Sequence, residues 1–322
     1  SRSRGLGDVY KRQTASGTSM ASPNVAGSLI LLQEYYFKTT GEIPLSSTIK
    51  ALVYNGAKDA GDVGPDPIFG WGFLDMKKSS KIIGENVSNK TIVESSILNG
   101  EEIEYSLEVN EGIENISVTI CWTDPSANSL ENAEDKDASV LVNDLDMRIV
   151  EISDGEVTHL PYTLSLENVN INGVWAVKAD NSKDNVERID FMATQGAVYK
   201  ILINHKNSIE NPTVDNDELK FQNFSIVVSE GSRINTTLSN DNVFDLNDNA
   251  FHYYADRSSL NLTNHNNYSI DKLEIYGITG KLLYSKSNIG NINSYEVYEI
   301  PKFGILSIDY NNKKFIRKFV KK

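Results

Sequence analysis

Two hydrophobic rhythms divide the chain. Apolar residues run nearly without a break over residues 20–36, which predicts a helix with Ser19 at its N-terminus and Pro23 in its first turn, where a missing N–H costs little. A second helix is expected over residues 48–57, capped by Ser46 or Ser47, with Ile49, Leu52 and Val53 as its apolar face. Gly64-Pro65-Asp66-Pro67 breaks it. Composition turns polar over residues 86–99, which reads as an interdomain linker. From Glu101 onward the period drops to two. Ile103, Tyr105, Leu107 and Val109 alternate, as do Ile116, Val118, Ile120 and Trp122. The sets Leu145, Met147, Ile149; Tyr199, Ile201, Ile203; and Phe224, Ile226, Val228 follow the same rule, with loops rich in Asn, Asp and Gly between them. That pattern predicts a β-sandwich or jelly roll. After a further polar stretch, residues 273–284 read as strand, turn, strand, and residues 303–308 and 314–320 add two more strands.

With 322 residues, 39% hydrophobic and 23% charged, the chain is long enough for two or three domains with real cores. Fifteen tyrosines suit β-rich domains. The net charge of −13 argues against nucleic acid as a partner, and no apolar run reaches membrane-spanning length. One cysteine, Cys121, excludes an internal disulfide and reads as a packed structural thiol. Residues 1–13 carry Arg2, Arg4, Lys11 and Arg12 against the single acid Asp8 and have no apolar core of signal-peptide length. They are expected to be an artefactual leader.

The residues Gly17-Thr18-Ser19-Met20-Ala21-Ser22-Pro23-Asn24-Val25-Ala26-Gly27 resemble the nucleophile segment of subtilisin-like serine proteases. The chemistry suits the composition. A serine hydroxyl needs a base to take its proton and a preorganised site for the oxyanion. Small residues before the serine permit close approach of a substrate backbone, and a helix N-terminus favours negative charge. The resemblance implies Ser19 as nucleophile, with Gly17 and Thr18 binding substrate. It also implies an aspartate, a histidine and an oxyanion asparagine earlier in the chain. Before Ser19 stand only Asp8 and no histidine, while His159, His205, His252 and His265 all follow. The chain is therefore expected to be a fragment of a secreted endopeptidase that is inert alone. In that family a Gly-aromatic-Gly turn leads into a closing helix, as Phe69-Gly70-Trp71-Gly72-Phe73 does here.

Residues 121–125, 141–146 and 184–187 resemble the β-domain that follows the catalytic domain in some subtilisin-like proteases, akin to the P domain of proprotein convertases. Asp124, Asp144, Asp146 and Asp184 offer hard oxygen ligands for a structural calcium, or else are turn-forming, solvated carboxylates. Residues 273–284, the Gly304-Ile305 strand and the basic end resemble the sorting domain of type IX secretion cargo. The expected fold is thus multidomain. A truncated, mainly helical part of an α/β subtilisin-like domain (14–85) precedes a β-sandwich or jelly roll (95–232) and a small Ig-like β-sandwich (237–322). Expected partners are protein or peptide substrates and the type IX machinery, at the cell surface or outside the cell, with no cofactor needed for the chemistry. The alternative is a non-catalytic surface protein whose β-domains bind glycans or proteins.

Overall fold

A computed structural model describes residues 15–127, 139–153, 155–170, 173–194, 197–212, 220–235, 251–255, 259–264, 267–277, 281–301, 303–311 and 313–320. Residues 1–13, the expected turn at 278–280, His265 and the last two lysines lie outside this set. Three helices come first: α1 (Thr18–Thr40), α2 (Ser46–Gly56) and α3 (Met76–Asn89). Eleven strands follow: β1 (Ile92–Leu98), β2 (Ile103–Val109), β3 (Asn115–Trp122), β4 (Leu145–Ile152), β5 (Glu156–His159), β6 (Tyr162–Asn170), β7 (Gly173–Lys178), β8 (Val186–Met192), β9 (Val198–His205), β10 (Phe221–Val228) and β11 (Ser232–Asn235). They form a four-stranded sheet in the order β1-β10-β3-β8, a five-stranded sheet in the order β11-β2-β9-β4-β5, and a β6–β7 hairpin. All the pairings are antiparallel.

The two larger sheets face each other. Ile116, Val118, Ile120 and Trp122 of β3, Met147 and Ile149 of β4, Ile201 and Ile203 of β9, and Phe224, Ile226 and Val228 of β10 fill the space between them. These are the alternating sets of the sequence, and their inward faces fall as the period of two requires.

The helices do not form a truncated α/β subtilisin-like domain ahead of that sandwich. They are its third layer. Leu32 and Tyr36 of α1, Ile49, Ala51 and Leu52 of α2, and Ile82 and Ile83 of α3 pack on Ile92, Cys121, Val186 and Val227, which point outward from the four-stranded sheet. The expectation failed because strands of this sheet were read as having one apolar face. In β3 every residue after Asn115 is buried, and β8 and β10 are nearly as continuous. The outward face supplies the apolar cover that the helices need. The polar stretch expected as a linker is accordingly ordered. α3 runs to Asn89, the Asn86 side chain accepts from the Ile92 N–H, and β1 starts there.

Polar groups fasten the layers as well. The Asn55 amide, fully buried on α2, donates to the carbonyls of Ser117 and Val227 and to the Thr119 hydroxyl. Neither serine caps α2, whose N-cap is Leu45. Instead Ser47 and Thr48 meet the Ser225 hydroxyl on β10, and Thr48 also donates to Glu94 on β1. α3 is capped by Asp75, which accepts from the Lys78 N–H at 2.9 Å. Before it, Lys58 and Phe73 pair as an antiparallel bridge. Gly72 permits this: its φ is 97°, and a Cβ would lie 2.1 Å from the Lys58 carbonyl oxygen.

A second sandwich follows, built from β12 (His252–Ala255), β13 (Ser259–Thr263), β14 (Ser269–Gly277), β15 (Leu282–Asn291), β16 (Ser294–Tyr298), β17 (Phe303–Tyr310) and β18 (Lys313–Val320). Its sheets run β12-β13-β16 and β15-β14-β17-β18. Leu260, Leu262, Leu273, Ile275, Leu306, Ile308 and Phe319 fill its core. Ile305 is buried against Phe221 of the first sandwich, with Leu98 and Tyr276 beside them.

If the helices are a layer rather than a domain, they unfold with the sheets. Leu52→Ala is expected to cost about 2–5 kcal/mol. It should also lower one shared urea midpoint, read both by tryptophan fluorescence and by far-ultraviolet circular dichroism. Two separated transitions would show that the layers fold independently.

Candidate functional site

Ser19 stands as the second residue of α1. Gly17 is the N-cap with φ 147°, a conformation that favours glycine, and its carbonyl accepts from the N–H groups of Met20 and Ala21. The N–H groups of Thr18 and Ser19 therefore lead the helix without an intrahelical acceptor, as first-turn donors must. Residues 15–27 are all exposed, including Gly17, Thr18 and Ser19. Pro23 lies not in the first turn but five residues after the first helical residue. In that place it withholds the N–H that would pair with the Ser19 carbonyl.

α1 is apolar on nearly every side, yet it buries only Leu32 and Tyr36. Met20, Val25, Ile30, Leu31, Tyr35 and Phe37 remain exposed. A helix with that composition normally sits inside a protein.

None of the histidines is joined to Ser19 by a hydrogen bond among the described residues. His159, on β5, bonds Glu151 at 2.9 Å and stacks on Phe191. His205 accepts from the Gly100 N–H through Nε2, which leaves its Nδ1 to donate to the Asn207 carbonyl. His252 lies on β12 in the second sandwich. Cys121 is fully buried under the helices, and burial pushes its thiol far up, which suits the packed role expected of it.

The four aspartates singled out for calcium do not converge. Both oxygens of Asp124 accept backbone N–H groups, from Val142 and Asn143, at 2.8 Å each. Asp184 receives the Asn181 amide. Asp144 and Asp146 do come together, and the fold adds Asp180, far off in sequence. The Lys206 ammonium sits among all three, at 3.0, 3.2 and 2.6 Å, and Arg148 bonds Asp146 and Asp180. Among the described residues no group of acids, histidines or cysteines is arranged to hold a metal ion. The lysine occupies the seat that calcium would need, and these residues as placed do not fit one.

Beside this cluster lies Glu187, fully buried on the inward face of β8. One of its oxygens accepts from the Met147 N–H at 2.6 Å, on the part of β4 that β5 leaves uncovered. Its other oxygen and Asp144 Oδ1 are buried without a hydrogen-bond partner among the described residues. Burial holds the Glu187 carboxyl well above its ordinary value, opposed by the Met147 bond and reinforced by Asp146. Burial, then the hydrogen bond to Asp180, raises Asp146 to about 6, although Lys206 and Arg148 pull it down. Asp180 is also penalised by burial, but its bonds to Asp146, Lys206 and Arg148 hold it at about 2. Sequence reading missed Glu187, although Glu187, Ile189 and Phe191 alternate and place an acid on an apolar face.

A carboxyl raised by folding binds its proton more tightly in the native state, so the fold loses stability as pH climbs through the raised value. Glu187 and Asp146 act in that direction above their ordinary 4.5 and 3.8, and Asp180 acts oppositely below 3.8. Glu187→Gln keeps an acceptor for Met147 without the charge. Thermal melts should show it gaining on the parent protein more at pH 8 than at pH 5. An equal shift at both values would remove the titration from the account.

No helix among the described residues is long and apolar enough to cross a membrane. No curated protein matches the chain. Residues 7–72, spanning Ser19, α1 and α2, match the model of the subtilase family. The part of the chain that presents Ser19 on a helix N-terminus thus carries the mark of a family of serine peptidases.

Proposed function

We propose that Ser19 is the nucleophile of a subtilase-type serine endopeptidase, forming an acyl-enzyme that water then releases. The observation that supports this is the match over residues 7–72 together with the place of Ser19. An exposed hydroxyl stands beside unused N–H groups at the positive end of a 23-residue helix. Gly17 and Thr18 would lie along the substrate backbone. Among the described residues no histidine is hydrogen-bonded to Ser19, and His159 and His205 are engaged on the sandwich. Hydrolysis therefore requires a histidine and a carboxylate from elsewhere, and these 322 residues alone are inert.

The same reading makes the protein a secreted or cell-surface one that acts on proteins or peptides. Residues 237–322 would serve as the sorting domain read by type IX secretion machinery, and the first sandwich as the P-domain-like companion of the peptidase. A second reading, a non-catalytic surface protein binding glycans or proteins, is favoured by the absence, among the described residues, of any base bonded to Ser19.

Purified residues 1–322 should show no peptidase turnover, with Ser19→Ala indistinguishable from the parent. A fluorophosphonate probe applied to the native protein from its own source should label Ser19. Labelling lost in Ser19→Ala supports the peptidase. A native, folded protein that takes up no label supports the binding reading instead.

A further inference from the structure

We propose that Lys206 is a built-in counter-ion, standing where a divalent cation would stand in a carboxylate cage, so that the first sandwich closes without metal. This rests on the acidic cluster and not on the role of Ser19. Three carboxylates from separate segments meet there: Asp144 just ahead of β4, Asp146 on β4, and Asp180 between β7 and β8. Acids gathered in this way, with little water around them, need a cation among them. Cations are scarce in this part of the chain. Residues 251–322 carry eleven lysines and arginines against six acids, a net of +5, so the preceding 250 residues hold −18 of the total of −13.

The backbone puts Lys206 in place before its side chain does anything. It follows β9 directly, and its N–H donates to the Asp144 carbonyl at 3.1 Å, so the stem starts beside the cage. Pairing of Asn204 with Asp146 fixes the same register one step earlier. The ammonium then reaches Asp144, Asp146 and Asp180 at 3.0, 3.2 and 2.6 Å and hydrogen-bonds all three. In this way one side chain ties the segment between β7 and β8 to both β4 and β9.

Donor number separates the lysine from the metal it stands for. An ammonium has three N–H donors and no more, and here each carboxylate takes one. Calcium gathers six to eight oxygens. The difference is visible at Asp144, whose Oδ2 meets the lysine while its Oδ1 is buried without a partner among the described residues. A metal ion would use that second oxygen, whereas the lysine has no donor left for it. Arg148 supplies a second cation to Asp146 and Asp180, again from within the chain. Counter-ions of this kind are present at a fixed ratio in every molecule, and no chelator removes them.

The test uses the full chain and Lys206→Met, which keeps an unbranched stem and removes the charge. The parent should melt at the same temperature in millimolar calcium and in chelator. The ammonium is 33% exposed, so its loss should be modest: in chelator the variant should melt about 3–6 °C below the parent. Calcium should then raise the variant back toward the parent, because the vacated cage offers it oxygens. Adding Asp180→Asn to Lys206→Met should abolish that recovery. If Lys206→Met does not fold in chelator, Lys206→Gln is read in the same way, and folding that appears only in calcium supports the proposal. A parent stabilised by calcium would overturn it, as would a variant that melts with the parent in chelator. So would a destabilised variant that calcium leaves unchanged, or a calcium response that survives Asp180→Asn.

Discussion

Burial of both faces of the sheet β1-β10-β3-β8 is the constraint on which the rest of the molecule depends. One face meets the five-stranded sheet through Ile120, Trp122, Phe224 and Ile226. The other meets the helices through Ile92, Cys121, Val186 and Val227. An antiparallel sheet can leave one side in water, and this one does not. Without the outward set, α2 and α3 would have nothing to bury Leu52, Ile82 and Ile83 against. Each such side chain contributes about 1.5–3 kcal/mol by leaving water. The Asn55 amide reaches two strands at once, so the position of α2 over the sheet is set by direction as well as by area.

Much of this architecture is visible in the amino-acid order, because local periodicity reports which face of a strand is apolar. Ile116, Val118, Ile120 and Trp122 stand where alternation puts them, and α2 covers nearly the span that Ile49, Leu52 and Val53 predict. What alternation does not report is the partner of the opposite face. Thr119 and Ser225 look like solvent positions in a one-sided strand, and only the chain's return brings α2 over them. The same limit applies to the acidic cluster. Asp144 and Asp146 are neighbours in sequence, but Asp180 and Lys206 come from later segments, and nothing local announces that a lysine will stand between carboxylates.

The segment around Ser19 stands out for a different reason: its residues form a dense motif rather than a periodic pattern, and residues 7–72 match the subtilase family model. The surroundings of Ser19 were less legible. The reading placed Pro23 in the first turn, where it would be neutral, whereas the helix begins early enough for the proline to leave the Ser19 carbonyl without its donor. Ser19 thus sits on an exposed, proline-interrupted stretch of α1, while the same helix buries only Leu32 and Tyr36 in the core.

The uneven division of charge along the chain reaches beyond any one contact. A protein with −18 in its first 250 residues and +5 in the remainder has a large electric dipole as well as a net charge. Near an anionic surface it turns its C-terminal region inward before any contact is made, although the molecule as a whole is repelled. On a column the same polarity lets one molecule adhere to cation- and anion-exchange resins at a single pH, each resin holding a different end.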